Sequence, residues 1–279
     1  MFRVAQPEDL PALCGLMQTS FGDGAEFTEM MAARFAGWKN VYVAQPEGGP
    51  VAAMLCAVPV TLQGKSGAYF YALCTDPQTR GKGLMTGLME HAADTLRAAG
   101  NRFIVTIPAS AGLFGFYEKR NFVRAFARRS FIRPVRRNLW AAAEFDTVTV
   151  RSLLQMREKY APNSVLLGLD SFTEVLRDLY SLGVTVVSSP DGYGLFFRHW
   201  DSLRFIELFA TSDRAAELLV QAAREKTGAT QAEITLGAAQ SIFPAEGRPA
   251  DYGMIRFLGE SFDVSESYMG LMLDETGQA

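Results

Sequence analysis

The residues best placed to do chemistry run Leu73-Cys74-Thr75-Asp76-Pro77-Gln78-Thr79-Arg80-Gly81-Lys82-Gly83-Leu84-Met85. The apolar beginning reads as a strand end, the glycines and bases as a turn, and the stretch after them as a long helix. The first turn of a helix leaves N–H groups without intrahelical partners at the positive end of the dipole, which suits a phosphate or pyrophosphate. Gly81 and Gly83 carry no side chain to block close approach, and Arg80 and Lys82 add positive charge. Three phosphate-loop patterns compete here. The G-x-x-x-x-G-K-[ST] loop is absent. The dinucleotide pattern G-x-G-x-x-G fails, because Thr86 stands at the third glycine and Asn101-Arg102 where a ribose-binding acid belongs. The pattern Q/R-x-x-G-x-G/A is met in full by Gln78, Gly81 and Gly83.

A second segment lies beyond the long helix and the next strand. It reads Pro108-Ala109-Ser110-Ala111-Gly112-Leu113-Phe114-Gly115-Phe116-Tyr117-Glu118-Lys119-Arg120-Asn121-Phe122. The two motifs, in this order, resemble the acetyl-CoA pyrophosphate loop and the F-Y-E-K-x-G-F segment of the GNAT N-acetyltransferase family. The resemblance spans roughly residues 1–133. One departure is Asn121, where the family usually has glycine; asparagine tolerates a left-handed backbone, so the turn should survive.

The resemblance implies acetyl-CoA as cosubstrate, no metal, and direct transfer of acetyl to an amine on a small molecule or a peptide. It places the pantetheine and thioester against the main chain of Leu73, Cys74 and Thr75. It places the pyrophosphate against Gln78, Arg80, Gly81, Lys82, Gly83, Leu84, Met85 and Thr86. Tyr117 becomes the general acid that protonates the departing CoA thiolate, while Phe114 and Phe116 pack. Ser110 either contacts the CoA arm or caps the helix from Leu113. Asp23, Glu26 and Glu29 border the acceptor side, and none of the three stands out as the base. A nucleophilic role for Cys74 is set aside: no base accompanies it in the motif, and a small apolar residue in a strand belongs to the core. His91 and His199 read as solvated surface residues.

Positioning these groups requires an α/β domain. Strands are expected at Phe2–Ala5, Val41–Ala44, Val51–Val58 and Lys65–Thr75, with helices at Glu8–Thr19 and Phe27–Phe35. A helix at Arg80–Ala99 stops at Gly100, then come a strand at Phe103–Ile107, a helix at Leu113–Arg120 and strand structure over Phe122–Arg133. From Thr149 the rhythm repeats. Helices at Val150–Tyr160 and Phe172–Leu182 precede strands at Val184–Ser188, Gly194–His199 and Leu203–Phe209. A helix at Ala215–Lys226 then leads to strands at Glu233–Leu236, Tyr252–Phe257 and Tyr268–Leu273. The order reads as a divergent duplication.

In the second half the place of the phosphate loop reads Thr211-Ser212-Asp213-Arg214-Ala215-Ala216-Glu217, with acids where a phosphate would sit. A second acetyl-CoA site is therefore not expected. The plan is similar to the first two domains of enhanced-intracellular-survival type acetyltransferases. The expected fold is a mixed-sheet α/β protein with tandem GNAT-like domains: residues 1–137 catalytic, residues 148–279 degenerate.

Composition excludes other classes. With 279 residues, 48% hydrophobic, 20 Phe, 9 Tyr and a net charge of −3, the chain is globular rather than disordered. The longest apolar run, Val51–Val60, has ten residues, against about 20 for a membrane helix. No signal-peptide pattern opens the sequence. Three cysteines without metal-like spacing fit a reduced, cytoplasmic setting. Eight basic residues and no acid lie between Lys119 and Arg137, whereas the remainder carries 19 bases against 30 acids, a net of −11. That contrast suggests an anionic ligand held locally and argues against nucleic-acid binding. The rival to an enzyme is an acyl-CoA-binding sensor or scaffold without turnover.

Overall fold

The computed structural model describes residues 1–272 and contains seven α-helices and thirteen strands among them. Two compact units are built from alternating stretches of the chain. The first comprises Met1–Arg124, Asp170–Glu174 and Gly253–Phe262; the second comprises Ala125–Leu169, Val175–Tyr252 and the chain from Asp263. None of the described helices is long and apolar enough to cross a membrane.

In the first unit β1 (Phe2–Val4), β2 (Val41–Ala44), β3 (Ala53–Leu62) and β4 (Lys65–Thr75) pair antiparallel in sequence order. Helices α1 (Leu10–Phe21) and α2 (Ala25–Met30) lie between β1 and β2 in the chain. After β4 the chain crosses through α3 (Leu84–Ala98) to β5 (Phe103–Thr106), which pairs parallel with β4 from Gly67–Phe103 to Tyr69–Val105. A parallel pair cannot be joined by a tight turn, so the long crossover helix is obligatory. α4 (Phe114–Glu118) comes next, then β6 (Val123–Pro134).

The second unit repeats the plan. After β7 (Glu144–Phe145), α5 (Val150–Tyr160), β8 (Leu166–Leu167) and α6 (Leu169–Ser181) come β9 (Thr185–Ser189), β10 (Gly192–His199) and β11 (Ser202–Ala210). These last three form an antiparallel run. α7 (Asp213–Thr227) then leads to β12 (Gln231–Gly237), parallel to β11, as α3 leads to β5. Each unit gains one more antiparallel strand. β6 pairs with β12, with Ile234 opposite Phe131, and β13 (Ala250–Phe257) pairs with β5, with Ile255 opposite Val105.

α3 shows how sequence makes the element. Leu88, Met89, Ala92, Ala93 and Leu96 recur at helical spacing and are buried against Tyr42, Leu55, Phe70 and Ile104 of the sheet. Truncating one such side chain, as in Leu88→Ala, costs about 2–5 kcal/mol. The opposite edge is tied by Arg256, which makes a two-pronged ion pair with Glu90 at 2.7 Å.

Several expected elements differ. The helix expected from Arg80 begins at Leu84, because Gly81 and Gly83 both take a left-handed backbone (φ +78°) and Pro77–Thr79 forms a separate 3-10 turn. The Phe27–Phe35 helix divides into α2 and a wider π turn at Met31–Phe35. Leu113–Arg120 resolves into a 3-10 turn at Ala111–Leu113 and α4. The strand structure expected over Phe122–Arg133 is one continuous strand, β6 (Val123–Pro134). Over Tyr268–Leu273, a lone bridge from Tyr268 to Ser164 replaces the expected strand in the described part, and Leu273 lies outside the described residues. His91 is half-buried, near the rings of Phe2 and Tyr42, rather than solvated.

Candidate active site

β4 carries a bulge where it approaches its C-terminal end. Tyr71 lies opposite Cys56 and Cys74 opposite Met54, so Ala72 and Leu73 together face the single residue Leu55. Ala72 takes φ +53°, uncommon for a residue with a Cβ. The parallel ladder to β5 ends at Tyr69–Val105, and beyond it residues 71–75 pair only with β3. The two parallel strands therefore separate at Leu73, Cys74 and Thr75, with the buried Thr106 hydroxyl donating to the Phe70 carbonyl at the fork (3.1 Å).

From Thr75 the chain turns tightly into α3. The Asp76 carboxylate accepts the Gln78 N–H at 2.9 Å, capping the 3-10 turn, and Arg80 Nε donates to the Thr75 carbonyl at 3.1 Å. Gly83 is the N-cap of α3, and its first turn contains no acid and receives no side-chain cap among the described residues. The first intrahelical bond runs from Gly87 N–H to the Gly83 carbonyl, which leaves the N–H groups through Thr86 outside the helical ladder. A Cβ built on Gly81 or Gly83 would meet no atom within 4 Å, so this end of the helix faces open space. Gln78, Arg80 and Lys82 are exposed around it, while Leu84, Met85 and Thr86 are half-buried.

Tyr117 sits on α4 and is 6% exposed. It packs edge-on to Phe116 and Phe122 at 5.2 and 5.5 Å between ring centroids. Burial raises its pKa above the ordinary phenol value; the Thr106 side chain and the Arg120 cation pull the other way and do not outweigh it. The phenol therefore keeps its proton through neutral pH. Asn121 adopts φ +64°, the left-handed turn expected of it, and Phe122 N–H returns to the Tyr117 carbonyl at 3.2 Å. Ser110 is exposed and occupies the N-cap position of the 3-10 turn, where its carbonyl, not its hydroxyl, accepts the Leu113 N–H.

Cys74 is buried, and burial pushes its thiol up to about 12, so it is no thiolate at neutral pH. Glu26 and Glu29 are exposed on α2, and Asp23 is half-buried before it.

The basic cluster is not one surface. Arg129 is buried in the second unit and donates to four carbonyls, those of Gln240, Ile242, Phe243 and Glu246. Arg133 pairs with Glu217 at 3.0 Å, and Arg124 with Glu118 at 2.9 Å. Arg120, which sequence reasoning passed over, reaches Thr86 on α3, a link between residues far apart in the chain with no local signal.

The corresponding place in the second unit is filled by its own residues. The ladder of β11 to β12 ends at Phe205–Ile234, and beyond it the Gln240 amide spans the gap. Its Nε2 donates to the Leu208 carbonyl (2.9 Å) and its Oε1 accepts from Gly237 N–H (2.6 Å). The Tyr268 ring lies on Gly237 so closely that a Cβ there would come within 2.8 Å. At the start of α7 the Ser212 hydroxyl accepts Ala215 N–H at 3.2 Å, and Asp213 stands in the first turn. A cleft of about 840 Å³ opens beside that turn, but its lining includes Asp213, Glu217 and Glu246 as well as Arg133, Arg136 and Arg214.

Residues 1–125 match the family model for an acetyltransferase (GNAT) domain. No curated protein matches the chain. Solved structures share its fold over nearly its whole length. A conserved protein of Enterococcus faecalis V583 is 13% identical, with a TM-score of 0.70, covering 92% of this chain and 72% of that one. A GCN5-related N-acetyltransferase of Anabaena variabilis is 17% identical, with a TM-score of 0.68 and coverage of 93% and 73%. Eis1 of Mycobacterium abscessus is 15% identical, with a TM-score of 0.66 and coverage of 92% and 74%. The open start of α3 and the forked strands both lie within residues 1–125, the part of the chain that matches the acetyltransferase (GNAT) domain model.

Proposed function

We propose that the N-terminal part of the chain, read from the sequence as residues 1–137, transfers acetyl directly from acetyl-CoA to a small-molecule amine. The observation that carries this reading is the uncapped, acid-free start of α3, with open space over Gly81 and Gly83. Main-chain N–H groups from Gly81 to Thr86 take the pyrophosphate, and Gln78, Arg80 and Lys82 surround it. The strands forked at Leu73, Cys74 and Thr75 supply main-chain groups for the pantetheine and for the thioester oxygen. One such preorganised N–H at a developing oxyanion is worth about 2.7–4 kcal/mol.

The amine nitrogen attacks the acetyl carbon, the C–S bond breaks, and Tyr117 gives its proton to the thiolate sulfur. The protonated amine releases a proton to solvent, and the tyrosinate recovers one. A buried phenol suits this role because it remains an acid at neutral pH. Since its pKa is raised, activity that depends on protonated Tyr117 is lost only as pH climbs beyond about 10, and a pH profile of kcat checks this. The inert Cys74 thiol supports direct transfer over an acetyl-enzyme. The three free cysteines fit a reducing compartment such as the cytoplasm.

The test is Tyr117→Phe, assayed by thiol release from acetyl-CoA over a panel of primary amines. Turnover should fall about 100-fold, within the usual range for general acids, with CoA affinity changed less than about twofold. Unchanged turnover removes Tyr117 from the mechanism. CoA binding without thiol release on any amine favours a sensor.

A further inference from the structure

Arg120 belongs to neither motif's expected chemistry, yet its side chain makes three hydrogen bonds. Its Nε and Nη2 both donate to the Thr86 hydroxyl, at 3.1 and 2.6 Å. Its Nη1 donates to the Phe116 carbonyl at 2.5 Å, and its main-chain N–H donates to the Tyr117 carbonyl at 2.8 Å. The guanidinium carbon lies over the Phe116 ring, 3.5 Å from the centroid. Thr86 is the third residue of α3, in the turn assigned to the pyrophosphate, and Phe116 and Tyr117 belong to the five-residue α4. So short a helix is not held by its own backbone ladder, since isolated helices below about 12–15 residues are marginal in water; Phe114 and Tyr117 seat it in the core and Arg120 ties its end. A planar fork of donors on a half-buried cation is the group able to fix it from one side.

We propose that Arg120 is a positioning residue for the transferase reaction: it clamps α4 to the first turn of α3, and so places the Tyr117 hydroxyl relative to the bound cofactor. This inference rests on the reading of Tyr117 as the acid. Lysine could not reproduce the arrangement, because one ammonium lacks the coplanar pair of donors.

The test uses Arg120→Met, which retains the aliphatic stem over Phe116 and removes the donors, and Thr86→Val, which removes the acceptor. Each should lower kcat for thiol release about tenfold while shifting CoA affinity by less than about threefold. The two together should be no worse than Arg120→Met alone, because the bond to Thr86 is already lost there. In a Tyr117→Phe background, Arg120→Met should cost no further activity; an independent tenfold loss there overturns the proposal. Arg120→Lys should recover less than half of the lost activity. A readout independent of turnover is hydrogen exchange of the full chain with CoA bound. Arg120→Met should speed exchange in residues 111–122 and leave residues 88–98 unchanged, and equal rates in both proteins overturn the clamp. If Tyr117→Phe itself has no effect, the acid assignment has failed. If Tyr117→Phe is impaired and Arg120→Met is not, this inference alone has failed.

Discussion

α3 and α7 perform the same step in the two units, each carrying the chain from a strand to its parallel neighbour, yet their first turns are finished in opposite ways. α3 starts on a left-handed glycine with no acid in its first turn; α7 starts on a serine cap followed by Asp213. The strands beside them fork alike. In the first unit the fork leaves residues 71–75 paired on one side, whereas in the second the Gln240 amide and the Tyr268 ring close it. The backbone plan thus supplies a positive helix end and a gap twice. What decides whether either can take a ligand is a handful of side chains, and fold alone would not have distinguished them.

Three substitutions probe this contrast. The largest effect is expected from giving α3 the character of α7. Gly83→Asp places a carboxylate at the phosphate end and should weaken CoA binding about 100-fold, or about 2.7 kcal/mol, by calorimetry. Retained affinity would mean that the cofactor does not use this turn. Next, Gln240→Ala strands the Gly237 N–H and the Leu208 carbonyl, both in buried residues, and should lower stability by about 2 kcal/mol in urea unfolding, with acetyl-CoA turnover unchanged. The smallest effect is expected from Ser212→Ala, which loses a helix cap worth about 1 kcal/mol. It should leave CoA affinity alone, and a change there would show that the α7 turn contributes to binding.

The local parts of this site were legible in the sequence. Gly81 and Gly83 announce a turn open to close approach, the leucine and alanine spacing announces α3, and Asn121 stands where a left-handed turn is needed. α3 starts one turn later than expected from Arg80, because the left-handed Gly81 and Gly83 keep the intervening residues out of the helix. Ala72 carries no mark of its bulge, since nothing in an alanine requires a positive φ; the register with β3 imposes it. Arg129 and Arg120 read as members of one basic run. Charge counting cannot distinguish a guanidinium that satisfies four buried carbonyls from one that bridges two helices, because the partners lie far away in sequence. Likewise, the largely apolar run in 252–257 marks a strand without revealing that it pairs with β5.

Whether only one of the two equivalent places in this chain binds the acetyl donor is tested by calorimetric titration with CoA. One CoA per chain is expected, lost in Gly83→Asp and kept in Ser212→Ala. Two CoA per chain, or one that survives Gly83→Asp unweakened, would contradict the assignment of the site to the start of α3.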